Sequence, residues 1–201
     1  MTEAYEFTTD WFSGAAPIWR SMIDQIKPRR ALELGAFEGR SAVFLIENST
    51  PFGRFEIVCI DTWAGGGEHQ ALDMKAAEAR FDRNIARAKA KHDCVVHKIK
   101  SDTVTGMARL LAEGQAGSFD VAYVDASHEA PDVLTDAAMA FKLLRVGGIM
   151  IFDDYLWSPD DRRDLVRMPK LAIDAFINTH IRKLNLIGAP LRQLYAAKIA
   201  D

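Results

Sequence analysis

"FDVAYVDASHEAPDVLTDAAMAFKLLRVGGIMIFDDY", residues 119–155, is the stretch whose reading decides the fold. It opens on FDVAYVD (119–125), a short apolar run of the kind that fills a strand buried on both faces. A helical pattern follows over Pro131–Leu144, with Ser127 as its candidate N-cap and Glu129 in the first turn. Pro131 suits a first-turn position, and Val133, Leu134, Ala137, Ala138, Phe141 and Leu144 fall on one face. RVGG at 145–148 stops that helix, and GIMIFDD (148–154) begins a second apolar strand. Strand, helix and strand in succession imply two parallel strands joined by a right-handed crossover.

The same rhythm runs back towards the N-terminus. RALELG (30–35), FEIVCID (55–61) and CVVHKI (94–99) read as further strands. Helical spacing occupies Ser41–Glu47, Ala71–Ala90 and Val104–Ala112 between them, with a leading helix at Pro17–Lys27. After Asp154 the pattern changes. A helix near Leu171–Ile181 precedes KLNLIGAPLRQLYAAKI, which reads as two strands around Gly188–Pro190 closing one edge. The expected architecture is α/β: a Rossmann-like, doubly wound, seven-stranded sheet, mostly parallel with an antiparallel C-terminal edge hairpin. A linker with Pro159 leads into the helix near Leu171–Ile181 but marks no domain boundary, so residues 1–201 are expected to form a single domain.

Composition excludes several functions. Apolar residues make up 49% and charged residues 26%, as in ordinary globular proteins, and a net charge of −3 gives no reason to expect a nucleic-acid partner. The AKAKHD patch at 88–93 reads as a solvated helix end. No apolar run has the length of a membrane span, and the opening MTEAYEFTTD is acidic where a signal peptide is basic. Cys59 and Cys94 both fall in apolar runs, so buried reduced thiols and a cytoplasmic location are expected. A homo-oligomer is left open.

Ligands of an open parallel sheet bind beyond the carboxyl ends of its strands. The first strand delivers Glu33, Gly35, Gly39 and Ser41 there, and the second Asp61 and Trp63. The third delivers Ser101 and Asp102, the fourth Asp125, and the fifth Asp153 and Asp154. One acidic strand end is an ordinary helix cap, but five together exceed what capping explains. The first turn, GAFEG, lacks the spacing of a dinucleotide fingerprint and places Phe37 and Glu38 inside it, where a pyrophosphate would be repelled. It suits a ligand without phosphates, carrying a cationic centre and a zwitterionic tail. Asp61 is placed to accept hydrogen bonds from ribose hydroxyls.

ALELGAFEGRSAVFL followed by CIDTW resembles the first two motifs of class I S-adenosylmethionine-dependent methyltransferases. The resemblance is closest to the metal-dependent O-methyltransferases of the catechol, sugar and macrolide types, spans Ala31–Tyr155, and is most specific over residues 124–155. It implies that Glu33, Gly35, Phe37 and Ser41 line the methionine part of the cofactor. Gly39 belongs to the same turn and Asp125 borders the same pocket. By the same resemblance Asp61 takes the ribose, while Trp63, Ser101 and Asp102 border the adenine.

Asp125, Asp153 and Asp154 fall on the metal-ligand positions, although catechol-type enzymes carry Asn at the last. His128 falls on the general base. Three converging carboxylates repel one another, and an all-oxygen set suits a hard divalent cation, Mg²⁺ first. The implied reaction moves a methyl group to a hydroxyl of a small molecule (diol, sugar or phenol) chelated by that cation, with His128 taking the proton.

His69, after the Gly65–Gly67 run, is expected on a lid or a loose loop, and Tyr155 and Trp157 on an aromatic substrate wall or in packing. Competing readings are a metal-dependent hydroxylase or hydrolase on the same layout, a binding module, and a NAD-dependent oxidoreductase, against which the GAFEG spacing argues.

Overall fold

In a computed structural model, residues 4–66, 72–161 and 163–201 are described. The apolar runs become β1 (Arg30–Leu34), β2 (Phe55–Asp61), β3 (Cys94–Lys100), β4 (Phe119–Val124) and β5 (Leu144–Phe152), with β6 (Leu184–Ile187) and β7 (Leu194–Lys198) as the C-terminal hairpin. They form one seven-stranded sheet in the order β3-β2-β1-β4-β5-β7-β6. The first five strands pair in parallel, while β7 runs antiparallel to both β5 and β6. The helices are α1 (Ala16–Ile26), α2 (Arg40–Ser49), α3 (Met74–Lys91), α4 (Thr103–Ala112), α5 (Ala130–Leu143) and α6 (Pro169–His180).

The strands separate two apolar layers by simple alternation. Leu32, Leu34, Val58, Ile60, Ala122 and Val124 pack on α4, α5 and α6 through Met107, Val133, Phe141 and Phe176. Ala31, Ile57, Cys59, Val121 and Tyr123 face the other way, towards Trp19, Ile23, Leu45 and Phe81 of α1, α2 and α3. The strand order reverses at β1, with β2 on one side and β4 on the other. That switch point opens a crevice beyond Leu34 and Val124. The Asp125 amide donates to the Leu34 carbonyl at 2.9 Å, and a Cβ on Gly35 would lie 2.1 Å from the Asp125 carbonyl oxygen. Gly35 (φ +82°) is therefore required both for its left-handed backbone and for this close approach.

Four local expectations change. RVGG does not turn between elements: α5 stops at Leu143 and β5 already runs from Leu144, accommodating the glycines by a shift in its register with β4 and a left-handed Gly147. β3 is an edge strand, so CVVHKI is only partly covered and Cys94 is half-buried rather than buried. Ser127 is not the N-cap of α5. Glu129 holds that position, and the Ser127 hydroxyl accepts from the Glu129 amide at 3.1 Å. α3 begins at Met74, where Asp73 caps it by accepting from the Ala76 amide. Among the described residues no helix is long and apolar enough to cross a membrane.

Candidate active site

A cavity of about 890 Å³ lies beyond the carboxyl ends of the parallel strands. Gly35, Phe37, Ser41, Asp61, Ser101 and Asp102 line one part of it. Asp125, His128, Asp153, Asp154 and Trp157 line another. Thus most of the residues singled out in the sequence share one cavity wall.

At the glycine turn, Asp61 does more than line the cavity. One of its oxygens accepts from the amides of Ala36 (2.8 Å) and Phe37 (2.9 Å), and the other from the amide of Trp63 (2.6 Å). Its carboxylate splints a turn whose Phe37 has φ +45°, and a carboxylate keeps lone-pair capacity for a further donor from the cavity side. Asp102 caps α4 by accepting from the Thr105 amide, which lowers its pKa. Trp63 is not at the cavity wall. It is buried, its indole N–H donates to the Phe37 carbonyl at 2.8 Å, and its ring packs on Phe81.

Gly39 and Glu33 also stand behind the wall. Gly39 is the left-handed N-cap of α2. Glu33 is fully buried, accepts from the Ser41 hydroxyl and the Cys59 thiol, and is pushed up to about 7 by burial.

The second part is a cluster of acids. The register of β4 and β5 sets Val124 beside Phe152, so Asp125 and Asp153 emerge together. The Tyr123 hydroxyl lies within hydrogen-bonding reach of both Asp125 (2.8 Å) and Asp153, and Gln193 Nε2 donates to Asp153 at 2.8 Å. One hydroxyl has one proton, so two ionised carboxylates there are not both satisfied. Burial raises the Asp125 pKa well above the ordinary range, with Asp153 and Asp154 adding to it, and burial followed by Asp154 raises Asp153. Tyr123, expected to be simple core, therefore has a buried ring and a hydroxyl in the site.

Asp154, in a left-handed backbone (φ +52°), faces His128, with Oδ2 2.9 Å from Nε2. The His128 ring lies against Trp157 at 3.9 Å between centroids. Tyr155 turns away, and its hydroxyl donates to Asp174 at 2.7 Å. Asp154 thus meets the imidazole through Oδ2, while its charge adds to the raised pKa values of Asp125 and Asp153. Among the described residues no group of three or more His, Cys, Asp and Glu side chains is arranged to hold a metal ion. His69 and Gly67 lie outside the described residues.

Sequence reasoning missed three contributors. Thr9, Trp11 and Phe12 of the N-terminal segment line the cavity, as does Arg192 from the loop between β6 and β7. Asp136 of α5 reaches it too, buried, accepting from the Thr103 hydroxyl (2.5 Å) and pushed up to about 7 by burial. A buried Asp on the apolar side of a helix was the available signal for Asp136. The N-terminal residues carried none.

This seven-stranded order, five parallel strands closed by an antiparallel hairpin, is the Rossmann-like methyltransferase fold. The chain belongs to the family described as methyltransferase domain, whose model matches residues 32–155. It is 26% identical over 190 residues to a caffeoyl-CoA O-methyltransferase of Stellaria longipes, covering 90% of this chain and 70% of the relative. A flavonoid 3',5'-methyltransferase of Vitis vinifera is 36% identical over 120 residues, 58% of this chain and 49% of the relative. Among solved structures, the O-methyltransferase TomG of Streptomyces achromogenes, in complex with SAM, superposes with a TM-score of 0.67 at 20% identity, covering 95% of this chain and 82% of that one. A Bacillus cereus O-methyltransferase in complex with SAH gives 0.64 at 15% identity over 98% of this chain and 84% of that one.

Proposed function

We propose that residues 1–201 act as one domain that transfers a methyl group from S-adenosylmethionine to a hydroxyl of a small diol, sugar or phenol. The observation that carries the reading is the pairing of His128 with Asp154 at 2.9 Å, on the same cavity wall as Asp125 and Asp153. Asp154 fixes the imidazole, and its charge stabilises the imidazolium formed when the ring accepts the acceptor's proton. Trp157 limits the ring's motion and screens it from water. The glycine turn, splinted by Asp61, would hold the methionine and ribose parts, and Ser101 and Asp102 would border the adenine. Holding the two reactants in line contributes on the order of 7–11 kcal/mol to such a transfer.

Asp125, Asp153 and the free oxygen of Asp154 would hold a divalent cation, Mg²⁺ by donor type. The donor chemistry fits. These are carboxylates only, two with raised pKa values, and the hydrogen-bonding partners of Asp125 and Asp153, Tyr123 and Gln193, bring no positive charge. When bound, such an ion lowers the pKa of a coordinated hydroxyl. The half-buried and buried free thiols support a reducing, cytoplasmic setting.

The test is methyl transfer from labelled S-adenosylmethionine to a panel of vicinal diols, sugars and phenols, with Mg²⁺ or with EDTA. Transfer abolished by EDTA and restored by Mg²⁺ is expected. Undiminished transfer in EDTA would remove the cation.

A further inference from the structure

Phe37 and Glu38 are oddities of the glycine turn: neither is needed to let a cofactor approach the backbone. Glu38 is almost fully buried, and its carboxylate is directed at the N-terminal segment. It accepts from the Thr8 amide (2.7 Å), the Thr8 hydroxyl (2.6 Å) and Arg80 Nε of α3 (2.5 Å). Asn84 of α3 completes the clamp. Its Nδ2 donates to the carbonyls of Glu38 and Glu6, both at 2.9 Å, while its Oδ1 accepts from the Glu6 amide at 2.8 Å. The Phe37 ring meets Trp11 at 5.2 Å between centroids. Arg40 donates to the Thr9 carbonyl at 2.7 Å and Arg192 to the Trp11 carbonyl.

Residues 4–11 therefore form an extended strap without helix or strand. It runs from α3, past the glycine turn, to the loop between β6 and β7. Along the way it supplies Thr9 and Trp11 to the cavity lining. Its fixings differ from those of the segment that follows. Phe12 is anchored in the core, edge-on to Trp19 at 4.8 Å. The strap is only partly buried: Tyr5 and Phe7 pack against the edge of that core, and the remainder is held by hydrogen bonds and by part-exposed ion pairs such as Glu6 with Arg83 and Arg87. Such pairs contribute little individually and are screened by salt, and residues 8–11, beside the cavity, rest on the hydrogen bonds to Glu38 and Arg40 and on the Trp11–Phe37 contact.

We propose that Phe37 and Glu38 are a latch for this strap, and that its release gates exchange of the cofactor and its demethylated product. Glu38 is then a positioning residue, acting on the ligand through Thr8 and the strap. The inference rests on the reading of the cavity as an S-adenosylmethionine site.

The experiment measures the S-adenosylhomocysteine dissociation rate by stopped-flow competition, alongside amide hydrogen exchange of residues 4–11 with and without that ligand. Glu38→Gln weakens the acceptor for Thr8 and Arg80 and is expected to raise the rate tenfold or more. Thr8→Val removes one donor from an exposed position where folding is not at stake, and should raise it about threefold. Thr8→Ser should restore the wild-type rate, which a merely structural role would not require. In the wild type, ligand should slow exchange over 4–11. Rates within twofold of wild type in Thr8→Val and Glu38→Gln, with the ligand still bound, would overturn the latch and leave the cofactor reading standing. A wild-type chain that binds no S-adenosylhomocysteine would overturn both.

Discussion

Two sets of carboxylates line the same cavity and are treated in opposite ways. Asp61 accepts from three backbone amides, and Asp102 caps a helix, so each is held by donors that cannot move away. Asp125 and Asp153 compete for one Tyr123 hydroxyl, and burial together with their neighbours' charge pushes both towards protonation. The difference teaches where ligand charge is wanted. The glycine-turn end is electrostatically finished before anything binds, and it recognises by shape and by spare lone pairs. The acid cluster is unfinished and favours an incoming positive charge.

Substitutions can break that contrast. The largest expected effect is at the seam between the two ends. Gly35→Ala drives a Cβ to within 2.1 Å of the Asp125 carbonyl in a left-handed conformation, and should cost more than about 4 kcal/mol in urea unfolding or prevent folding. Next, His128→Ala should lower kcat by about 10²–10⁴-fold while leaving S-adenosylhomocysteine affinity within about twofold. Near-normal turnover in that variant would remove the histidine from the proton transfer.

The same chemical change should have opposite signs at the two ends. Asp61→Asn puts an amide N–H₂ among backbone donors and should destabilise by about 1–3 kcal/mol. Asp153→Asn relieves repulsion and should leave the thermal midpoint at or above wild type, while losing Mg²⁺-dependent transfer. Equal destabilisation by both would erase the distinction.

The smallest effect is a pH dependence. Glu33 and Asp136 are each pushed up to about 7, above their ordinary carboxylate values, so the folded state keeps their protons where the unfolded state has released them. Their contribution to stability is then fully present near pH 4 and is lost as pH rises towards about 7. Asp136→Asn should flatten the decline in thermal midpoint between pH 5 and pH 8, and an unchanged slope would show that Asp136 is ionised throughout.

Much of this was legible in the sequence because it depends on local periodicity. Continuous apolar runs, a proline-started helix and an acid after each strand place the sheet and its binding edge without any tertiary information. The roles of individual acids were less legible, because they depend on contacts between segments distant in the chain. Asp61 reads as a ribose ligand, and nothing local shows that it also accepts from the turn amides of Ala36 and Phe37. Trp63 reads as an adenine neighbour, but a left-handed backbone sends its ring into the layer with Phe81. Asp154 reads as a third ligand beside Asp153, and its further contact with His128 depends on a left-handed backbone that the sequence does not announce. The strap over residues 4–11 has no periodicity to read. Its position is set by Asn84, Glu38 and Arg192, which are remote in sequence.

The most direct test of the central claim is a calorimetric titration of the wild-type chain with S-adenosylhomocysteine, followed by a crystal structure of the complex. The account predicts saturable one-to-one binding, with ligand density along the glycine turn and its ribose against Asp61. Absence of binding, or density that avoids Asp61, would contradict it.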